Sequence, residues 1–468
     1  MDDFAVIGGG IGGASCALFL SENHQTTLYE KEPYLGGCSS TFKHKGHFYN
    51  TGATTFAGYT KNSYMYTLFE TYGVHFEKKK LDAALTVLMG EKTIHRFADR
   101  ALFLEDINKA FYHSKNKAFY ELICKLSERF FALDAYMYSN ASFLDKLSSL
   151  TSFTPLLRAF YPYLFTNAKD FIRDYFGEIS PAYLDYLDNQ VLIVAQAKLS
   201  SINMLTAALA LSYQFLDNYY IYGGMGSLFE GIERVLPHVE KKCFIQNIIK
   251  ESDHFILQTN RAEFKAKNIV LNSSLFDTAP FFNDKTIVNY LKQYEALHSD
   301  LSAFMVYLKV VTSKPLDHHY QIILPYTLPH TISNSIFVSF ADSEDAKMKH
   351  SVTISVHTTT RQWANENYLE QKNELEAIIK HIVCEHLGLL PEEIQSSFSA
   401  TPKTFKRYIN RSTLGGIPML SKNMLYKLPS NDSPIKGLYH VGDTTFAGQG
   451  WLGVMMGVRN LQRLLCKN

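Results

Sequence analysis

At 468 residues the chain has room for about three typical domains or two large ones, and its formal net charge of +1 leaves no electrostatic footprint for a nucleic acid. Its six cysteines are scattered, without a CxxC pair, which argues against a disulfide framework and against a zinc site. No run of 18 or more apolar residues is present, so no membrane-spanning helix is expected. The first strand begins within a few residues of Met1, so the expected location is cytoplasmic or peripheral on the inner face of a membrane.

Phe4 to Ile7 form a short apolar run, the pattern of a buried parallel strand. Gly8, Gly10 and Gly13 then fill a GxGxxG pattern. The first permits a tight turn, the second a close approach to a pyrophosphate, and the third the packing of the following helix. That helix, about Gly12 to Ser21, would aim its N-terminal amides at phosphates. A second strand, Thr26–Tyr29, ends in Glu30 and Lys31. Glu30 stands 22 positions after Gly8, where an acid accepts hydrogen bonds from ribose hydroxyls. Gly36 and Gly37 allow another close backbone approach, and Ser39 and Ser40 supply hydroxyls.

Residues 61–220 read mainly as helix, with 116–135 and 203–216 as examples, and Lys78 to Lys80 read as a solvated loop. Within 152–176 an apolar stripe at helical spacing is broken by Pro155 and Pro162 and accompanied by Arg158, Lys169 and Arg173. Both an interfacial helix pair and ordinary packing in a helical domain fit that stripe. The high aromatic content, 14%, fits a greasy tunnel as well as a compositional bias. Tyr222, Gly223 and Gly224 lead into a helix at Leu228–Leu236. Short strands follow around Phe244–Ile249, which includes Ile248, then at Phe255–Gln258 and at Asn268–Leu271, with Asn272 following. From about 301 the pattern is again β-rich, then helical at 364–387. His318 and His319 are adjacent and His381 and His386 are five apart. Neither pair is spaced to share a metal on one helix face, and no metal is expected.

The last strand, Leu438–Val441, ends in Gly442 and Asp443. Gly448 and Gly450 bend the chain into a helix from about Trp451 to Leu465, with Arg459, Arg463 and Lys467 near its end. The amides of Gly450, Trp451 and Leu452 are placed to stabilise negative charge on a reduced flavin. Two glycine loops more than 400 residues apart, both shaped to hold a dinucleotide, argue for resident FAD rather than a visiting nicotinamide. The expected fold is α/β: a Rossmann-type FAD-binding domain, glutathione-reductase/amine-oxidase-like, from 1–75, 216–285 and 416–468. A discontinuous α+β substrate domain with a helical insert would come from 76–215 and 286–415.

Three segments resemble the phytoene desaturase, carotenoid isomerase and retinol saturase family of FAD-dependent oxidoreductases. They are VIGGGIGG…LYEKEPYLGGCSSTFKHKGHFYNTG, YGGMGSLFEGIERVL with NIVLNSS, and TPKTFKRYINRSTLGGIPMLSKN…GLYHVGDTTFAGQG. Asn50 stands where the family often has Asp, and Ala447 where the final loop has Pro. The resemblance implies hydride transfer between flavin N5 and a hydrophobic polyene or isoprenoid in an apolar tunnel: desaturation, saturation or isomerisation. Tyr222, Gly223, Thr413 and Trp451 are substrate-side candidates, each equally readable as packing. An amine-oxidase-like or protoporphyrinogen-oxidase-like flavoenzyme is an alternative. A non-catalytic prenyl-lipid carrier of related fold is disfavoured by Gly8, Gly10, Gly13, Glu30 and Asp443.

Overall fold

A computed structural model describes residues 1–132, 137–341, 349–423 and 427–466. Strand β1 (Asp2–Ile7) runs parallel to β2 (Thr26–Tyr29) on one side and to the strand Glu263–Leu271 on the other, with Ile7 opposite both Tyr29 and Leu271. Leu438–His440 lies parallel to the end of Glu263–Leu271. Val239–Glu240 extends the sheet beyond β2, and Phe255–Thr259 and Ile245–Lys250 add an antiparallel flap. Phe4 to Ile7 and Thr26 to Tyr29 are all buried, as parallel strands covered on both faces must be.

Helix α1 (Ile11–Leu20) buries nine of its ten residues. A helix apolar on every side has to be enclosed on every side. Here β1, the helix Gly226–Val235 and the C-terminal helix Gly450–Leu465 share its core. The opposite face of the sheet is closed by the short helices around Leu275 and Ile287.

A second seven-stranded sheet runs Ile394–Ala400, Leu301–Val311, Lys349–Thr359, Ser335–Phe340, His319–Ile323, Ala83–Met89, Lys92–Phe97. Two of these strands correct the sequence reading, which assigned 61–220 mainly to helix. Ala83–Met89 (AALTVLM) and Lys92–Phe97 pair as a hairpin, and the first joins His319–Ile323 in parallel. Their branched and aromatic side chains suit a pleated, half-buried surface. Lys78–Lys80 is likewise a strand, paired with Asn218–Ile221, rather than a loop. The Lys78 ammonium sits 4.9 Å over the Tyr59 ring and 4.5 Å over Phe76, so these rings accommodate the charge.

The helical insert therefore runs from Arg100 to Leu211. The helix expected at 116–135 is observed as Asn116–Ala132, and residues 133–135 lie outside the described residues, as does Lys467. The stripe at 152–176 becomes the helices Thr154–Leu164 and Ala168–Phe176, preceded by Phe143–Ser152. Pro155 starts its helix, where the missing N–H costs nothing. Pro162 lies inside the same helix, which ends two residues later at Leu164. No helix among the described residues is long and apolar enough to cross a membrane.

Candidate cofactor and substrate cavity

Four parallel strands deliver their carboxyl ends to one edge of the first sheet: β1 to Gly8, β2 to Glu30, Glu263–Leu271 to Asn272, and Leu438–His440 to Gly442 and Asp443. Ligands of such sheets bind beyond this edge. Gly8 has φ +101°, and its N–H donates to the Tyr29 carbonyl at 2.9 Å. The Asn272 amide Nδ2 donates to the Gly8 carbonyl at 3.1 Å. A Cβ on Gly13 would stand 2.1 Å from that same carbonyl oxygen, and Cβ atoms on Gly10 and Gly12 would meet the Asn272 side-chain amide at 2.8 and 2.6 Å. Asn272 thus occupies the space that three side chains would need.

The Glu30 carboxylate accepts from the N–H of Gly9 (2.7 Å) and the N–H of Glu32 (2.8 Å), which fixes its orientation toward the cavity. Burial raises its pKa, and the two amides offset part of that. Lys31 lines the cavity, but its Nζ donates to the carbonyls of Arg407 (2.9 Å) and Tyr408 (3.3 Å) and so straps the first domain to the helix Pro402–Ile409. Gly36 has φ +114°, and its N–H donates to the Gly9 carbonyl at 2.8 Å, so the loop of Gly36, Gly37 and Ser39 lies against the first glycine turn. The Ser40 hydroxyl donates to the Gly37 carbonyl (2.9 Å) and sits 2.6 Å from Thr51 Oγ1. It holds the loop together rather than offering a free donor.

The closing loop meets the opening one directly. A Cβ on Gly12 would be 3.3 Å from the Gly442 nitrogen and 3.2 Å from Val454. The Asp443 carboxylate accepts from Arg411 Nη1 at 3.0 Å. Burial opposes the Arg411 charge, but the neighbouring Asp443 and Cys38 outweigh it and hold the pKa above the ordinary range. Burial also pushes the Cys38 thiol up to about 11. Gly450 opens the last helix at φ +72°, with open space where a Cβ would be. Trp451 Nε1 donates to the Thr55 carbonyl at 2.8 Å, and its ring meets Phe56 edge-on. Leu452 fills the space beside Gly58.

All these loops line one cavity of about 1370 Å³, larger than the ~300–1,000 Å³ of a typical single-ligand site. Its second limb is apolar, walled by Phe153, Leu156, Leu164, Leu209, Met419 and Leu420, and it reaches Phe131, Leu150 and Leu157, which are also exposed on the outer surface.

Several candidates do not lie on it. Ile248 is packed in the core beneath, with Phe255 and Phe282, while Ile245 and Cys243 take the cavity wall. A register shift between Ile245 and Asn247 breaks the alternation from which its side would be read. Tyr222 is partly exposed and stacks edge-on against Tyr220, and Gly223 turns the chain beside Ser227, both away from the cavity. Thr413 is buried, and its carbonyl accepts from Arg411 Nε at 2.8 Å. Of the four substrate-side candidates only Trp451 lines the cavity. Arg411 and His357 line it and were missed. Arg411 stands within TPKTFKRYINRSTLGG, a segment that reads as family-like without marking which residue faces the site.

Residues 6–72 match the model of an NAD(P)-binding Rossmann-like domain. Over 97% of its length the chain is 24% identical to a chloroplastic prolycopene isomerase of Daucus carota, of which it covers 78%. It is 22% identical to a 4,4'-diapophytoene desaturase of Staphylococcus haemolyticus, over 95% of both chains. The chain is a relative of the carotenoid isomerases and desaturases. The fold is shared with an oxidoreductase from Methanosarcina mazei, at a TM-score of 0.64, 16% identity and coverage of 98% of this chain and 99% of that one. The first glycine loop lies within the matched Rossmann-like segment, and both glycine loops line the same cavity.

Proposed function

We propose that the chain is an FAD-dependent oxidoreductase that acts on a hydrophobic polyene or isoprenoid, by carotenoid-type desaturation, saturation or isomerisation. The observation that carries this reading is the meeting of residues 8–13 and 442–452 on one cavity that continues into an apolar limb. The cradle fits the cofactor: Gly8, Gly10 and Gly12 bring bare backbone to the cavity, Glu30 presents carboxylate oxygens for ribose hydroxyls, and Gly450 leaves room at a helix N-terminus. When bound, FAD would supply hydride acceptance or donation at flavin N5. Glu30, the glycine turn and Asp443 would hold it. The amides of Gly450, Trp451 and Leu452, at the positive end of a helix of 16 residues, would favour negative charge beside them without reorganising. The apolar wall would hold the substrate and exclude water.

The same reading makes the protein peripheral to a membrane. Phe143, Leu144, Leu147, Leu150 and Tyr161 are exposed on two successive helices and Phe165 just after them, and Leu150 also lines the cavity. Contiguous exposed apolar surface of this kind marks an interaction site. Residues 143–169 carry Lys146, Arg158 and Lys169 against the single carboxylate Asp145, a small basic excess that suits an anionic lipid surface.

The test of the cofactor is direct. Purified protein is expected to be yellow, with flavin absorbance that bleaches on dithionite. A colourless protein that takes up no added FAD would remove the reading.

A further inference from the structure

A cavity for a pure hydrocarbon needs no hydrogen-bonding groups along its apolar limb. Among the described residues that line this cavity, several polar side chains make no hydrogen bond: Gln196, Thr206 and Tyr213 on the helical side, and His357 and Ser355 on the sheet. His357 and Ser355 stand two residues apart on the strand Lys349–Thr359 and both line the cavity. Residues two apart on a strand share a face, about 6.6 Å from one another. They lie opposite Ala303 and Met305 of Leu301–Val311, which also line it, and Phe337 flanks Ser355 from the next strand. Small Ala303 opposite His357 leaves the imidazole room.

Neither side chain makes a hydrogen bond, ion pair or ring contact among the described residues. The contrast with their surroundings is informative. His319, His330 and His350 each place a ring nitrogen on a hydroxyl, a carboxylate or a carbonyl. Ser302 donates to the Ser412 carbonyl, Ser339 donates to the Thr54 hydroxyl, and Ser335 accepts from Gln321. Desolvation drives the His357 imidazole down to about 4. At neutral pH it is therefore uncharged, with one N–H donor and one bare nitrogen acceptor. Both side chains are partly buried and open to the cavity, so a ligand that displaces water from them without replacing its hydrogen bonds would lose about 1–3 kcal/mol, which favours a ligand with a polar group there.

We propose that His357, together with Ser355, forms a polar subsite for an oxygenated end group, a hydroxyl or a carbonyl, on the hydrophobic substrate. A hydroxyl would donate to the bare imidazole nitrogen and a carbonyl would accept from the N–H, with the Ser355 hydroxyl free to complement either. The subsite would fix how far the chain slides along the limb, and hence which carbon reaches the cofactor end. This rests on the hydrophobic-substrate reading above. It narrows the substrate from any isoprenoid to one that carries an oxygenated group.

The test measures binding, by quenching of tryptophan fluorescence, with Trp451 in the same cavity. Three probes of equal length are compared: geranylgeraniol, its aldehyde, and the same tetraene ending in a methyl group. The wild-type protein is expected to bind at least one oxygenated probe about tenfold or more tighter than the hydrocarbon, because a site built around a hydrogen bond rejects the analogue that lacks it. H357L is expected to bring that ratio close to one, and H357Q, which keeps a donor and an acceptor, to restore most of it. A merely structural role for His357 would not give that pattern. Equal wild-type affinity for all three probes overturns the proposal, as does an H357L variant that keeps the preference. If H357L does not fold, the wild-type ratio and S355A decide, with a reduced ratio expected and an unchanged ratio in both counting against the subsite. Binding of none of the probes by a yellow protein would instead overturn the hydrophobic-substrate reading itself.

Discussion

Glu30 illustrates what one carboxylate does in two directions. Inward, its two oxygens hold the N–H groups of Gly9 and Glu32 and so shape both loops. Outward, it faces the cavity where the ribose would lie. Removing it should loosen the cofactor without unfolding the sheet, since none of the buried strand residues depends on it. E30A is expected to weaken FAD affinity by roughly tenfold or more, the scale of one or two hydrogen bonds to a charged group. Titration of the apo-protein with FAD measures this, and an unchanged dissociation constant would remove Glu30 from the ribose site. The acid was legible from its spacing, because strand, turn and helix have fixed rises. Arg411 was not. Its 32-residue separation from Asp443 carries no local signal, and only the fold brings the guanidinium to the carboxylate.

At the scale of elements, the helices Phe143–Ser152 and Thr154–Leu164 show how one segment can serve two surfaces. Phe153, Leu156 and Leu164 point into the cavity wall, while Phe143 (80% exposed), Leu144 (74%) and Tyr161 (65%) point outward. The helical stripe was readable, but periodicity alone does not say whether an apolar face meets protein or lipid. The wild-type protein is expected to cosediment with vesicles containing anionic lipid. The double substitution L144E/L147E should reduce the bound fraction about tenfold or more, since each apolar side chain inserted contributes about 1.5–3 kcal/mol. Flavin content serves as the control for folding. Equal binding by the variant, or none by the wild type, would sink the membrane reading. The strand Ala83–Met89 is the opposite case: its short apolar run AALTVLM does not alternate, and inside a long helical stretch such a run cannot be told from a buried helix segment. It is held as a strand by partners more than 200 residues away.

For the whole molecule, two fully enclosed histidines set a pH dependence. Burial drives the imidazoles of His319 and His440 down to about 3, well below their value in an unfolded chain. Between those values the unfolded state binds the protons, so stability rises with pH and is lost as pH falls below about 6.5. By pH 5 each should cost roughly 2 kcal/mol relative to pH 7. Denaturant midpoints at pH 7 and pH 5 measure this, and a midpoint that holds steady or rises on acidification would contradict it. The same global view separates two kinds of information in the chain. The Rossmann turn, the acid after β2 and the final Gly-Asp were written locally, because each is a short backbone geometry that few residue types permit. The side on which Ile248 faces, the displacement of Tyr222, Gly223 and Thr413 from the cavity, and the arrival of Arg411 and His357 in it could not be written that way. Each depends on how two sheets and a helical insert pack, and packing joins residues whose distance along the chain is unrelated to their distance in space.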